Sequence, residues 1–314
     1  MSRAARVIKD QFLSVVRWFD SGAGRRSLNR SLAQAPQTKR VDWSRMLPFF
    51  GLHLMCAFVL VTGVSWFAVA VAVLLYVVRM FAITGFYHRY FSHRTFKTSR
   101  ACQFVFALLG NSAVQRGPLW WAAHHRHHHK TSDQAEDVHS PHQHGFFWSH
   151  MGWLTSRANF STDLKAVHDL ARYPELRFLD RFDTLVPVAL ATLLLVLGEV
   201  LAAWAPGLHT NGFQLLVWGF FVSTVALFHG TCTINSLAHL IGRPRYATKD
   251  KSKNSLLLAL ITLGEGWHNN HHRFPGAVRQ GFRWWEIDVT FYLLKMMSWL
   301  RLIWDLRPVP RAAF

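Results

Sequence analysis

The residues of this chain best suited to chemistry are its histidines, and nine of them recur in spacings that favour metal binding. The clearest spacing is His-x-x-His-His, which occurs at residues 125–129 and again at residues 268–272. A pair at 88 and 93 and a single histidine at 239 follow long apolar runs. The nine candidate ligands are His88, His93, His125, His128, His129, His239, His268, His271 and His272.

Helical geometry explains why this spacing matters. Positions i, i+3 and i+4 of an α-helix lie on one face, within roughly a 100° arc. Each triplet is therefore predicted to aim three imidazoles at one point, and nine ligands indicate two metal ions that share them. Imidazole suits iron, zinc, copper and nickel alike, so the residue types alone do not choose the metal.

The remaining histidines have plainer interpretations. Isolated ones are interpreted as ordinary surface or core residues: His53, His168, His209 and His229. Those close to the first triplet or in the loop after it are interpreted as supporting groups or loop residues: His124, His127, His139, His142, His144 and His150.

Long apolar runs must position these ligands. The 314-residue chain is 51% hydrophobic, and each run has about the length of one helix across a bilayer. We therefore predict an all-α integral membrane protein in which four transmembrane helices form a stem. The predicted crossings are residues 47–66, 67–87, 185–204 and 212–231. Residues 101–115 are too short to cross, and 284–304 are predicted to lie on the membrane.

Polar segments fill the rest of the chain. Residues 1–43 form a basic arm without a signal-peptide pattern, and residues 307–314 form a short tail. The segments 88–183 and 235–306 carry the histidines and are predicted to form a helical cap. The short loops around 61–66 and 205–211 lack Lys and Arg, so the positive-inside rule places both termini and the histidines in the cytoplasm.

Charge and cysteine content narrow the choice of partners. A chain with a net charge of +18 could bind nucleic acid. The apolar runs instead favour binding to an anionic membrane surface and to an acidic electron-donor protein. No nucleic acid partner is therefore expected. The three cysteines have no ligand-like spacing and are interpreted as reduced core residues. Arg79 interrupts the second run and is predicted either to snorkel or to face a polar site inside the bundle.

A metal site at the membrane face suits chemistry on acyl chains. Oxidising an unreactive C–H bond needs O2 and a redox-active metal, which favours iron over zinc. A His-Glu-x-x-His motif is absent from the sequence, which argues against a zinc metalloprotease. Glu265 precedes His268 in the Glu-x-x-His spacing of soluble di-iron proteins. We predict that Glu265 instead orients a ligand through the other ring nitrogen of that histidine.

The histidine motifs together carry a resemblance. The segments His88-Arg-Tyr-Phe-Ser-His93, His125-Arg-His-His-His129, Asn235-Ser-Leu-Ala-His239 and Gly266-Trp-His-Asn-Asn-His-His272 resemble those of the membrane fatty-acid desaturases of the stearoyl-CoA Δ9 type, in a bacterial form. The resemblance extends from about residue 45 to residue 306, and it makes residues 44–306 one membrane desaturase domain. Each motif alone is weak; the four in order are specific.

The resemblance implies a function. It implies a stem under a cytoplasmic cap, two irons held by the nine histidines, and Asn235 against a metal-bound water. The implied reaction uses O2 to introduce a cis Δ9 double bond into a saturated acyl chain, carried as acyl-CoA or acyl-lipid. The sequence after His272 lacks the composition of a haem domain, so the expected electron donor is a separate ferredoxin or cytochrome b5-like protein. The expected location is the bacterial inner membrane.

The sequence predicts the residues that contact the substrate less specifically than it predicts the metal ligands. Acyl-CoA enzymes of this type usually carry Arg-Asp where this chain has Ala123-His124, which leaves CoA, phospholipid and acyl carrier protein open as the acyl carrier. Basic residues near the first triplet are predicted to meet the substrate head group: Arg126 and Lys130, with Arg157 and Lys165 as further options. The predicted tunnel residues are Tyr76, Met80, Trp121 and Trp153, of which the first two share a helix face.

Other functions fit parts of the pattern. A related membrane di-iron hydroxylase, or a desaturase of another regiospecificity, would carry the same ligands. A metal or haem transport protein would line a membrane path with histidines, whereas here they gather on one side. Chain length and oligomeric state are left open.

Overall fold

The computed structural model describes residues 3–23 and 41–314, and for residues 3–7 and 10 it describes the backbone alone. The predicted basic arm therefore lies partly outside the described residues. Its described part contains a helix at Arg3–Val16, and Ser14 donates a 2.9 Å hydrogen bond to Asp42 just ahead of the membrane region.

Four helical segments of the described chain are long and apolar enough to cross a membrane, as predicted. They are Trp43–Thr62, Trp66–Ser92, Leu185–Trp204 and Gly212–His239, hereafter the first to fourth spans. The third span is a continuous α-helix, whereas the second changes from α-helix to π-helix at Ala82. The fourth combines Gly212–Leu215, a π-helix at Leu216–Val222, Ser223–Ser236 and a 3₁₀ turn at Leu237–His239.

Two helices extend beyond the predicted crossings at 67–87 and 212–231. The second span continues to Ser92 and the fourth to His239, so His88 and His239 lie within the helices and not after them. Hydropathy marks the part of a helix that contacts lipid. Backbone hydrogen bonds continue beyond that part because the protein itself buries the polar residues there.

Tryptophans mark the ends of the spans. Trp43, Trp66 and Trp204 stand at span ends, and 68%, 89% and 85% of their surfaces are exposed. Exposed tryptophan is typical of the membrane–water interface, where its ring has one apolar and one polar partner. The span ends therefore agree with a bilayer around the four helices.

Arg79 of the second span faces the inside of the bundle. Its side chain is 1% exposed, and its Nη1 donates to Thr224 Oγ1 at 2.7 Å and to the Ser112 carbonyl at 3.2 Å. Nη2 donates to Ser223. Arg79 therefore does not snorkel to the surface, and the second predicted alternative is the one observed.

The cap surrounds the C-terminal ends of the second and fourth spans, where His88 and His239 lie. Its helices are Arg100–Asn111, Pro118–Thr131, Pro141–His144, Phe146–His150, His168–Ala171, Pro174–Arg181, Leu256–Ile261, His268–Arg273 and Val289–Trp299, and its 3₁₀ turns are Gly152–Thr155 and Arg157–Asn159. Three further short elements lie outside the cap helices. An α-helical turn at Val59–Thr62 ends the first span after Trp43–Cys56, and 3₁₀ turns lie at Pro206–Leu208 and Arg311–Ala313.

Two short strands close the cap. Lys97–Thr98 pairs antiparallel with Ile303–Trp304 and so fastens the C-terminal segment to the chain that follows the second span. The core of the cap packs around the π-helix, with Phe86, Tyr87 and Phe91 almost fully buried. The helices Arg100–Asn111 and Val289–Trp299 have 12 and 11 residues, too few to cross a bilayer, in agreement with the sequence analysis.

Candidate metal centre

Three helical elements and two single histidines build the centre. The π-helix Ala82–Ser92 presents His88, and the backbone N–H of His93 donates to the His88 carbonyl five residues earlier. This i→i+5 pattern brings the two histidines one above the other, and their ring centroids are 4.9 Å apart. π-Helical turns of this kind often occur at functional sites.

Gly117 and Pro118 position the helix that carries the first triplet. Proline suits the first helical position because its fixed φ matches the helix and its missing N–H would have no partner there. A Cβ atom at Gly117 would lie 2.3 Å from the Asp180 Cα, so only glycine allows this approach. Asp180 Oδ1 then accepts the Trp120 backbone N–H at 2.7 Å.

The nine histidines gather into two groups. In each group the candidate ligand atoms all lie within 4.8 Å of one another. The five-histidine group contains His88, His93, His125, His129 and His271. The four-histidine group contains His128, His239, His268 and His272.

The triplets do not aim at one point, which corrects the expectation from spacing. His125 and His129 belong to one group and His128 to the other, while His268 and His272 are separated from His271. Successive residues turn by about 100° around a helix, so the i+4 residue lies about 40° from residue i and the i+3 residue about 60° away on the other side. Each triplet therefore straddles both groups.

Short separations join the ring nitrogens within the five-histidine group. His93 Nε2 lies 2.8 Å from His125 Nε2, which is 3.0 Å from His129 Nε2. His271 Nε2 lies 2.9 Å from His129 Nε2 and 3.0 Å from His88 Nε2. Adjacent nitrogen ligands around one ion with bonds of about 2.1 Å have separations of this size.

Carboxylates fix the outer nitrogens of four ligands. Asp137, Asp133 and Asp250 approach the Nδ1 atoms of His128, His239 and His272 at 3.1, 2.8 and 2.7 Å. Glu265 Oε2 lies 2.5 Å from His88 Nδ1. A proton held on Nδ1 leaves the Nε2 lone pair free to face inward.

Unpartnered lone pairs test whether a cation fits. His239 Nε2 and His268 Nε2 lie 3.1 Å apart, although the Nδ1 proton of His239 is committed to Asp133. His272 Nε2 is buried and has no hydrogen-bond partner among the described residues. Lone pairs directed at one another repel unless a cation lies between them, so both the donor set and its geometry fit metal ions.

Protonation states also favour metal binding, because a ligand must present a neutral imidazole. Burial and the neighbouring histidines hold the pKa of His125, His129 and His271 well below its ordinary value. Burial raises the pKa of Glu265, but its interactions with His88 and Arg89 outweigh burial and lower that pKa to about 2.

The second group has a different electrostatic environment. Although burial opposes it, contact with His239 lowers the pKa of Asp133, and contact with His272 lowers the pKa of Asp250. Contact with His139 and His128 lowers the pKa of Asp137 in the same way, against the effect of burial. No role was predicted for these three aspartates. Acidic residues clustered after a histidine motif, in a chain with 35 basic and 17 acidic residues, were the available signal.

A largely apolar cavity reaches both groups. Its lining comprises Met80, Ile83, Thr84, His88, Trp121, His125, His128, Thr231, Ile234, Asn235, Thr262, Glu265 and His268. The Trp121 ring stacks on His125, with centroids 5.0 Å apart. Two of the predicted tunnel residues, Met80 and Trp121, and the predicted water-binding residue Asn235 therefore lie on this cavity.

The other two predicted tunnel residues do not line it. Tyr76 lies behind Met80, and its hydroxyl donates to the Ile261 carbonyl at 2.8 Å. The Trp153 ring stacks on Trp120 and His139, with centroids 5.7 and 4.9 Å away. Trp153 thus supports the outer side of the four-histidine group, because His139 packs against His128.

The head-group prediction for Arg126 does not agree with its contacts. All five of its N–H donors are used: Nε donates to the Ser92 carbonyl, and Nη1 and Nη2 donate to the Ala166 and Phe91 carbonyls and to both oxygens of Asp169. No donor is left for a substrate phosphate, so Arg126 joins two parts of the cap. Lys130 is exposed on the same helix.

The fold and the site define a class of protein: a helical integral membrane protein with two buried histidine groups at the end of an apolar cavity. The chain belongs to the fatty acid desaturase family, whose profile matches residues 64–296. It is thus a fatty acid desaturase, and it acts on fatty acyl chains.

Individual relatives differ in regiospecificity. The chain is 36% identical over 272 residues to the sn-1 stearoyl-lipid 9-desaturase of Anabaena variabilis, covering 85% of this chain and 95% of the relative. It is 35% identical over 284 residues to an acyl-CoA 5-desaturase of Anemone leveillei, covering 86% and 84%. It is also 35% identical over 273 residues to the chloroplastic palmitoyl-monogalactosyldiacylglycerol delta-7 desaturase of Arabidopsis thaliana, covering 86% and 70%.

Proposed function

We propose that this protein is an O2-dependent di-iron desaturase that introduces a cis double bond at the Δ9 position of a saturated, lipid-linked acyl chain. The observation that carries the proposal is the cavity, because it is largely apolar and reaches both histidine groups. The Δ9 position is supported by relatives such as the stearoyl-lipid 9-desaturase of Anabaena variabilis.

Two irons would be held by the five-histidine and four-histidine groups. When bound, they supply the oxidising power that removes hydrogen from an unreactive carbon, using O2. The acyl chain loses two hydrogens, O2 is reduced to two waters, and the donor protein delivers two electrons, which are accompanied by two protons. The protein holds the ligands rigidly, since burial and carboxylates fix the orientation of the imidazoles.

The cavity walls position the chain. Ile83, Ile234 and Met80 exclude water and hold a straight alkyl segment beside the histidines. Beyond Met80 the fourth span closes the space, because a Cβ at Gly230 would lie 2.8 Å from the Tyr76 hydroxyl and 3.0 Å from Met80 Cε. The distance between this end and the metals would set both chain length and bond position.

A lipid carrier is favoured over CoA by the surroundings of Arg126. The donors of this side chain are consumed by Asp169 and by backbone carbonyls, so it is unavailable to CoA phosphates. The exposed Lys130 remains the candidate for a lipid phosphate. Relatives whose names include a lipid carrier also support this choice.

We place the histidine centre and both chain ends on the cytoplasmic side of a bacterial inner membrane. The loops between the first and second and between the third and fourth spans, 63–65 and 205–211, contain no Lys or Arg, in keeping with the positive-inside rule. A separate ferredoxin or cytochrome b5-like protein would deliver electrons, and the net charge of +18 suits an acidic donor.

Fatty-acid analysis of an expression host tests the proposal. A bacterial strain that makes few unsaturated fatty acids would express the chain or its His128→Ala variant, together with a ferredoxin system. Gas chromatography–mass spectrometry with double-bond location, applied separately to phospholipid and acyl-CoA pools, reports the product. We expect a Δ9 monoene that appears first in phospholipid, needs O2 and is absent from the variant.

Other products would change the assignment. A hydroxy acid would indicate the related hydroxylase, and a double bond at Δ5 or Δ7 would indicate another regiospecificity. A monoene that appears first in acyl-CoA would contradict the lipid carrier while leaving the desaturation intact.

A further inference from the structure

The two histidine groups differ in the carboxylates that hold them. In the four-histidine group, three of the ligands contact an aspartate through Nδ1, namely His128, His239 and His272. In the five-histidine group, His88 alone among the described ligands contacts a carboxylate, which is Glu265. The group with fewer ligands therefore has more negative charge around it.

An ion pair with Arg89 enlarges this difference in negative charge between the two histidine groups. Arg89 Nη2 lies 3.0 Å from Glu265 Oε1 and 2.9 Å from Asp288 Oδ1, so an arginine offsets the charge beside the five-histidine group. Asp133 has uncharged partners besides His239: the Ser140 hydroxyl at 2.6 Å and the Lys251 backbone N–H at 2.8 Å.

The three aspartates also form one connected structure. The Asp133 backbone N–H donates to Asp137 Oδ2 at 2.9 Å, and the Lys251 N–H that contacts Asp133 belongs to the same loop as Asp250. Asp250 is held by the Ser252 N–H at 2.9 Å and by Thr248. Asp133 takes a left-handed backbone conformation, with φ of 59°, to reach this arrangement.

We propose that the two metal positions are unequal, and that Asp133, Asp137 and Asp250 are positioning residues that retain the metal of the four-histidine group. This inference rests on the proposed di-iron function. A carboxylate on Nδ1 fixes the tautomer, aims Nε2 at the metal and makes the imidazole a better electron donor. Buried negative charge also compensates a buried cation.

Substitution by asparagine tests the role, because it keeps the shape of aspartate and removes its charge. Asp250→Asn is the first choice, since its side chain is the most exposed of the three at 9%, and Asp133→Asn and Asp137→Asn follow. Glu265→Gln is the matched variant on the other group. Asp183→Asn controls for loss of a buried carboxylate, because Asp183 pairs with Arg116 and touches no ligand.

The full-length protein, purified in detergent with 57Fe, is challenged with an iron chelator. Iron per polypeptide and Mössbauer spectra are then measured at each chelator concentration. We expect each aspartate variant to lose one iron at a chelator concentration about 10–100-fold lower than wild type requires, with loss of the same quadrupole doublet in all three. Glu265→Gln should alter the other doublet, and Asp183→Asn should leave both unchanged.

The remaining outcomes contradict the inference. Aspartate variants that keep both irons at wild-type chelator concentrations, or lose both in equal steps, would show that the carboxylates do not discriminate the positions. The same conclusion would follow if Glu265→Gln removed the same doublet as the aspartate variants. A wild-type chain that binds fewer than two irons would overturn the proposed di-iron function together with this inference.

Discussion

The four spans form two unlike pairs. In the first and third spans, 6% and 17% of the most apolar stretch is buried, against 39% and 50% in the second and fourth. The first pair has 20 residues in each span, and the second pair has 27 and 28. A helix of 27 residues is about 40 Å long, roughly 10 Å more than the hydrocarbon core of a bilayer.

The extra length of the second and fourth spans explains why these two helices supply ligands. The helices of the second and fourth spans are longer than a bilayer requires, and their extensions carry His88, Asn235 and His239 into the cap. Both contain π-helix, at Ala82–Ser92 and Leu216–Val222. The first and third spans contain none of the nine candidate ligands. A ligand on a continuous helix is held more rigidly than one on a loop, which suits a centre with fixed geometry.

The largest expected effect comes from equivalent histidine substitutions in the two pairs. His88→Ala in the second span removes a ligand and should lower desaturation by at least about 100-fold, more than loss of an outer partner would. His53→Ala in the first span removes a 3.1 Å contact with His229, worth about 1 kcal/mol, and should leave most activity. Product yield by gas chromatography measures both. Equal losses would contradict the division between the pairs.

The next effect concerns the buried Arg79 of the second span. Arg79→Met leaves the Ser112 carbonyl and the Thr224 and Ser223 hydroxyls without a donor, at a cost of about 1–3 kcal/mol. The melting temperature in detergent should fall by several degrees. Leu193→Ala in the third span, at a side chain 61% exposed to lipid, should change stability by about 0.5 kcal/mol or less. If Arg79→Met left the melting temperature unchanged, the hydrogen bonds of Arg79 would not contribute to the stability of the second and fourth spans.

Glycine substitutions sharpen the description of the lipid-facing pair. A Cβ at Gly198 of the third span would lie 2.5 Å from the Asn211 carbonyl oxygen and from Gly212 Cα, whereas a Cβ at Gly51 of the first span meets nothing within 4 Å. Gly198→Ala should therefore destabilise by about 1–3 kcal/mol. Gly51→Ala should be neutral or stabilise by about 0.5–1 kcal/mol. Thermal unfolding in one detergent compares them, and the opposite order would refute this packing.

The smallest effect on total activity is expected at Met80, where substitution should change selectivity instead. Met80→Ala lengthens the cavity at its end beside Gly230, so the product profile should shift toward longer chains. One methylene in an apolar pocket changes discrimination by roughly tenfold or more. Leu74→Ala, on the lipid-exposed face of the same span, is the control and should leave the profile unchanged. Chain-length analysis of the products measures both. If Met80→Ala gave the wild-type profile, Met80 would not bound the acyl tunnel.

Much of the fold was predictable from local patterns. Apolar length alone gave the four spans, because a bilayer requires about 20 apolar residues from each crossing helix. The third span was predicted at 185–204, and the structure has Leu185–Trp204. The ends of the second and fourth spans were not predictable in this way, since their polar extensions are helical only because the cap buries them.

The sequence by itself determined which residues converge. Nine histidines at fixed spacings, in a chain with long apolar runs, indicate a metal centre beside the membrane. Residue type and helical period act locally, so their consequences can be derived without the fold.

The tertiary structure decided how those residues are divided. The assignment of His128 to one group and of His125 and His129 to the other depends on which helix lies across from each face. The selection of Asp133, Asp137 and Asp250 as partners of the ligands has the same origin. The sequence separations of Asp133 from His239 and of Asp250 from His272 are 106 and 22 residues, so packing alone brings these groups together.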